Sequence, residues 1–178
     1  MAQIIVYPCV SDDYETLANI AARTFPLACP PHTTDRDKAD FIAKHLDEEC
    51  FQRYLSDPSR RLFIAMLDGE DAGYAMLVLG EPADPDVVSV VTARPTVELS
   101  KLYVLPEFHG EGVASRLLMV VIDAAVESGA TSLWLGVNQE NQRAKRFYDK
   151  HGFAVVGNRR FLVGERYEDD FVCELQIA

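Results

Sequence analysis

The chain has 178 residues, and its 17 Lys and Arg stand against 28 Asp and Glu, a formal net charge of −11. With 48% hydrophobic and 25% charged residues it has the composition of a soluble globular protein with one sizeable core, which excludes a disordered or collagen-like chain. The acidity argues against nucleic-acid binding, which needs basic side chains to neutralise phosphates, and directs expectation towards cationic partners.

The first element expected is a strand over 4–10. Ser11 then caps a helix reaching about Phe25, with Asp12 and Asp13 in its first turn and Tyr14, Leu17, Ile20 and Ala21 on one stripe. Pro26, Pro30 and Pro31 are expected to force a loop. A single helix follows from Asp37 to about Ser56, with Phe41, His45 and Leu46 as its buried stripe and Pro58 as its stop. Runs over 62–67 and 74–79, joined by the turn-rich Asp68 to Gly73, read as a hairpin. The proline-bearing stretch from Gly80 to Pro95 reads as a surface loop at the mouth of a site. A βαβ unit comes next: strand 97–104, helix 113–128 closed by Gly129 in a left-handed C-cap, and strand 132–137. A helix from about Gln139 to His151, closed by Gly152, and short strands over 153–156 and 170–175 complete the order. The fold class is mixed α/β, read as a single domain over 1–178.

No run approaches the about 20 consecutive apolar residues of a membrane span. The opening MAQIIVYPCVSDDYE turns acidic too early for a signal peptide, so a cytoplasmic, membrane-free location is expected. Cys9, Cys29, Cys50 and Cys173 lie far apart without a CxxC pair and read as free thiols. The four histidines show no HxxxH or HExxH spacing, so no metal site is expected.

The turn His109-Gly110-Glu111-Gly112-Val113-Ala114 lies between a strand and a helix. Small residues there let successive backbone N–H groups face a phosphate at the positive end of the helix dipole, although two glycines also suit a plain tight turn. A Rossmann turn would need Gly or Ala where Ser115 stands and an acid where Asn138 stands; a Walker loop would need a lysine after Gly112. Neither applies. Further on, Asn141, Ala144 and Tyr148 fall on one helical stripe, which by itself describes an ordinary amphipathic helix burying Phe147 and Tyr148.

The segments VELSKLYVLPEFHGEGVASRLL (97–118) and SLWLGVNQENQRAKRFYDKHGF (132–153) resemble, in order and spacing, the two central motifs of the GNAT superfamily of acyl-CoA-dependent N-acyltransferases. The resemblance implies a central mixed sheet with splayed parallel strands flanked by helices, and an acyl-CoA-binding core over about 97–153. It implies that His109, Gly110, Glu111, Gly112, Val113 and Ala114 form the pyrophosphate loop, that Ser115 donates to a phosphate, and that Leu102, Tyr103 and Val104 line the pantetheine arm through their main chain. His109 departs from the family's Gln or Arg, which shifts the expected pyrophosphate affinity towards backbone donors. By the same resemblance Asn141 lies near pantetheine and Tyr148 protonates the departing CoA thiolate. Glu98, otherwise a glutamate at a solvated strand end, would take the proton of the incoming ammonium. Strict alternation puts Glu98, Ser100, Leu102 and Val104 on one face, and a bulge of the kind the family carries would change this. Cys173 reads as a buried strand residue.

The expected reaction is transfer of acetyl from acetyl-CoA, without a metal, to a primary amine by direct attack in a ternary complex. Acid-rich stretches over 35–49 and 165–170, with a likeness to bacterial polyamine acetyltransferases, point to a polyamine acceptor. A protein N-terminus or lysine is the enzymatic alternative, and a non-catalytic CoA-binding module is the alternative of another class. The partner expected is a small-molecule amine, with a homodimer left open.

Overall fold

The computed structural model describes residues 1–178. Strand β1 (Ile4–Pro8) is followed by a short 3-10 turn and helices α1 (Tyr14–Ala28), α2 (Asp35–His45) and α3 (Glu48–Ser56). The hairpin β2 (Arg60–Leu67) and β3 (Glu70–Val78) leads through the short α4 (Pro85–Val88) to β4 (Thr96–Val104), α5 (Val113–Glu127), β5 (Ser132–Asn138) and α6 (Gln142–Lys150). A second hairpin, β6 (Ala154–Val163) and β7 (Arg166–Gln176), ends the chain. All seven strands form one sheet in the order β1-β2-β3-β4-β5-β7-β6, antiparallel except for β4 and β5. No helix is long and apolar enough to cross a membrane.

One face of the sheet carries α5, whose Val113, Leu117, Leu118, Val121 and Ala125 are buried against Ala65, Leu77, Leu99 and Leu135. Truncating Leu117, which is fully buried, to Ala would cost about 2–5 kcal/mol. On the opposite face, α1, α2 and α3 bury Leu17, Phe25, Phe41 and Phe51 against Ile64, Tyr74 and Met76.

Several expectations need correction. Pro26 lies inside α1, which runs on to Ala28: so near a helix end its missing N–H removes a single helical bond, and its fixed φ is already helical. The helix expected over 37–56 is two helices, because Asp47 turns out of the first and accepts a hydrogen bond from the Cys50 amide at 2.8 Å, capping α3 as Thr34 caps α2. Phe41 and Leu46 are buried as expected, whereas His45 stays exposed, its ring against that of Phe41. The terminal strands are far longer than 153–156 and 170–175. Their charges pair across the hairpin, Arg159 opposite Asp170 and Arg160 opposite Asp169, on a strand whose outer edge faces solvent. Finally, the 80–95 loop is held by a Glu81–Arg94 ion pair at 2.6 Å, and its Val87 and Val91 pack on Trp134 and Val172, away from the cavity described below.

Candidate active site

β4 and β5 pair only where Thr96, Val97 and Glu98 lie beside Ser132, Leu133 and Trp134. Beyond Glu98 they part, so the β5-facing backbone groups of β4 from Ser100 to Val104 are left without a strand partner. A bulge reinforces the divergence: Leu99 pairs with Leu77 and Lys101 with Met76, leaving Ser100 unmatched. The bulge reverses the alternation, as strict period two would not. Val97, Leu99, Leu102 and Val104 face the α5 side, and Lys101 and Tyr103 face the α1–α3 side.

The cleft opens into a cavity of about 580 Å³. Glu98, Leu102, Tyr103, Val104, His109, Ala114, Asn141 and Tyr148 all line it. All eight are residues that the resemblance implied for the site, Glu98 included. Gly110, Glu111, Gly112, Val113 and Ser115 lie in the adjoining turn and first helical turn rather than in the cavity lining.

The turn itself is shaped for an anion. Gly110 and Gly112 have φ of 83° and 86°, a conformation that favours glycine, and a Cβ on Gly110 would meet nothing within 4 Å while one on Gly112 would meet only Ile4 at 3.8 Å. The glycines therefore serve backbone direction rather than packing. Gly112 caps α5 without a side-chain acceptor, and no acid occupies the first turn, so the amides at this helix start and its dipole are free for a phosphate. These features fit the pyrophosphate of an acyl-CoA, and the parted β4 edge fits a pantetheine arm that pairs with main chain. The Ser115 hydroxyl lies 3.1 Å from His151 Nε2, whose Nδ1 lies 2.8 Å from the Phe147 carbonyl, so the side chain ties α5 to α6.

His109 Nε2 donates to the Val104 carbonyl at 2.8 Å, which leaves Nδ1 to accept from Arg143 Nη1. The guanidinium missing at position 109 is thus present beside it, brought by the first turn of α6. Sequence reasoning missed Arg143 because the connection spans 34 residues. Asn141 Oδ1 accepts from the Ala144 amide at 3.2 Å, so the same residue caps α6 and lines the cavity. Tyr148 packs edge-on against Phe147 and Phe153, and burial pushes its phenol far above the usual range, so it is protonated at neutral pH.

Burial also raises the carboxyl of Glu98, an effect opposed by the charges of Arg159, Lys101 and Arg60. A carboxylate of raised pKa is a better proton acceptor than a solvated one. The mouth is made by parts that the sequence did not connect. Arg159 lies over Gly136 of β5 and pairs with Asp170 at 3.2 Å; burial pushes the Asp170 carboxyl up to about 6 despite that partner. His32, on the α1–α2 loop, lies 2.8 Å from Glu168 of β7 and 3.4 Å from Glu140 of the β5–α6 loop. The ligand-type atoms of these three lie within 4.8 Å of one another, a grouping that no HxxxH search can find.

A sequence model of the acetyltransferase (GNAT) family matches residues 15–153. An uncharacterised N-acetyltransferase of Mycobacterium tuberculosis (strain H37Rv) is 46% identical over 160 residues, covering 90% of this chain and 95% of that protein. The spermidine N(1)-acetyltransferase of Escherichia coli K12 is 27% identical over 124 residues, 68% of this chain and 61% of that protein. In fold, the chain is similar to the PaiA N-acetyltransferase of Thermoplasma acidophilum, solved with coenzyme A, at a TM-score of 0.78 and 19% identity, covering 98% of this chain and 99% of that one. The chain belongs to the acetyltransferase (GNAT) family and is an acetyl-CoA-dependent transferase.

Proposed function

We propose that residues 1–178 act as one N-acetyltransferase unit that moves acetyl from acetyl-CoA to a small primary amine by direct attack. The observation that carries this reading is that the parted β4 edge, the phenol of Tyr148 and the carboxyl of Glu98 line one cavity beside a helix start free to take phosphate. Glu98 takes a proton from the acceptor ammonium, directly or through water. The amine nitrogen then bonds to the thioester carbonyl carbon, the C–S bond breaks, Tyr148 gives its proton to the leaving sulfur, and the second proton shed by the acylated nitrogen returns the phenolate to a phenol. A phenol whose pKa lies above that of a thiol stays protonated at neutral pH and so remains a proton source, and the transfer becomes favourable because the acylated nitrogen, a far stronger acid, gives up a proton in the same step. Backbone amides of residues 110–115 and the Arg143 guanidinium hold the pyrophosphate, and the main chain of Leu102, Tyr103 and Val104 holds the pantetheine arm.

The net charge of −11 and the spermidine-acetylating relative bear on a polyamine acceptor, a reading that rests on overall charge and likeness and not on the lining of the cavity. The test is thiol release from acetyl-CoA with a panel of diamines, polyamines, amino acids and peptides, with the N-acetylated product identified by mass. Turnover of a small amine is expected. Turnover of peptides alone would move the reading to a protein N-terminus or lysine, and CoA binding without turnover of any amine would make the chain a CoA-binding module.

A further inference from the structure

We infer that Lys101 selects an acceptor that carries an acid group, a carboxylate or a phosphate, beside the amine to be acetylated. This rests on the transferase reading above and names the substrate class of the same cavity. Lys101 lines the cavity on the α1–α3 side of β4, three residues from Glu98, and forms no hydrogen bond or ion pair within the protein. Its Nζ stands 5.8 Å from the centroid of the Tyr54 ring, and the guanidinium carbon of Arg60 stands 4.7 Å from the same centroid. Arg60 has an acid of its own, Asp57, at 3.1 Å. Of the cations around Glu98, Arg159 is paired with Asp170 and Arg60 with Asp57, whereas Lys101 is in ion-pair contact with no acid and feels the charge of only one carboxylate, Glu98 itself.

Two cations sharing one ring inside a partly desolvated cavity repel each other, and burial, with the Arg60 charge adding to it, holds Lys101 down to about 8 despite Glu98. An anion in the cavity beside Lys101 Nζ relieves that repulsion and supplies the hydrogen-bonding partner that Nζ lacks. An ammonium placed there adds a third positive charge. An acceptor with its amine at Glu98 and its acid at Lys101 therefore meets a complementary charge at each end, whereas the second ammonium of a diamine or polyamine meets a like charge. The acidic outer surface that drew the polyamine expectation is a separate matter from this inner lining.

The test uses the wild-type protein with acetyl-CoA and three sets of amines: 3-aminopropionate, 4-aminobutyrate and O-phosphoethanolamine; the methyl esters of the two amino acids; and putrescine and spermidine. The acid-bearing amines are expected to exceed the neutral esters by roughly ten- to a hundredfold in kcat/KM, the span of a hydrogen bond to a charged group. That ratio should collapse towards one in Lys101→Met and return in Lys101→Arg. Comparing 3-aminopropionate with O-phosphoethanolamine tells carboxylate from phosphate. Equal turnover of esters or polyamines, or a ratio that survives Lys101→Met, would overturn the inference. If no amine is acetylated, the transferase reading fails by itself. Thermal stabilisation of the CoA-bound protein by the acid-bearing amines, lost in Lys101→Met and absent with spermidine, would then still carry the charge assignment, and its absence would overturn that too.

Discussion

On its cofactor side the cavity offers backbone from β4, the glycine turn and the start of α5, all within residues 96–115, whereas on its acceptor side it offers side chains such as Glu168, held by a contact with His32, 136 positions away. The first side rests chiefly on a strand that parts from its neighbour and glycines with positive φ, with Arg143 as its one added side-chain charge, so the ligand it takes is set mainly by main-chain geometry. The second depends on which charges the hairpin β6–β7 and the helices α1–α3 bring to Glu98, so a few substitutions there would change the acceptor without disturbing cosubstrate binding. The comparison predicts that variants on the two sides will separate in what they damage.

The largest effect is expected where the two sides meet. Tyr148→Phe keeps the ring packed on Phe147 and Phe153, so melting and acetyl-CoA affinity should hold, while kcat and kcat/KM fall together by about 10²–10⁴. Rates near wild type, with chemistry shown to be rate-limiting, would reduce Tyr148 to a packing residue. Glu98→Gln should cost about 10²-fold and remove the acidic limb of the pH profile. The sign follows from the role: the ionised carboxylate accepts the proton, and burial has raised its pKa, so wild-type kcat/KM should fall as pH drops through a value above the ordinary glutamate range. An acidic limb retained in the Gln variant would assign the base elsewhere.

Effects confined to the cofactor side come next. CoA at a hundredfold excess over Kd should stabilise the protein by about 2.7 kcal/mol, a rise in Tm that Gly112→Val should abolish by forcing a β-branched side chain into a positive-φ position against the phosphate. An unchanged rise in that variant would remove the loop assignment. Arg143→Ala, at an exposed position, should weaken CoA binding by about tenfold in calorimetry and leave stability within about 0.5 kcal/mol. The smallest effect is that of salt. Any KM for spermidine, attracted by exposed acids, should rise with ionic strength more than that for acetyl-CoA, because exposed charges are screened beyond about 10 Å at 0.1 M.

What could be read from the chain divides along the same line. The βαβ unit, the glycine turn and the Asn141–Ala144–Tyr148 stripe are local patterns of main-chain conformation and helical period, and each is where the sequence indicated. The Ser100 bulge was in view only through the resemblance, since one unmatched residue leaves no mark on composition, yet it decides that Lys101 faces the α1–α3 side. The break between α2 and α3 was in view as Asp47, an N-cap residue obscured by the acidic residues around it. The mouth was beyond reach because His32–Glu168 and Arg159–Asp170 are tertiary pairs, and because the charge-rich hairpin 154–176 lacks the apolar alternation that marks a strand.

Direct transfer across one cavity is the central claim, and the cavity contains one group that could contradict it. Cys29 lines the wall, donates to the Phe25 carbonyl at 3.4 Å, and is pushed by burial up to about 11, so at neutral pH it is a thiol rather than a nucleophilic thiolate. The deciding measurement is the intact mass of the protein after incubation with acetyl-CoA alone, followed by addition of an accepted amine. The account predicts an unmodified protein, with thiol released only once the amine arrives. An acetyl group on Cys29 that the amine then removes would contradict it.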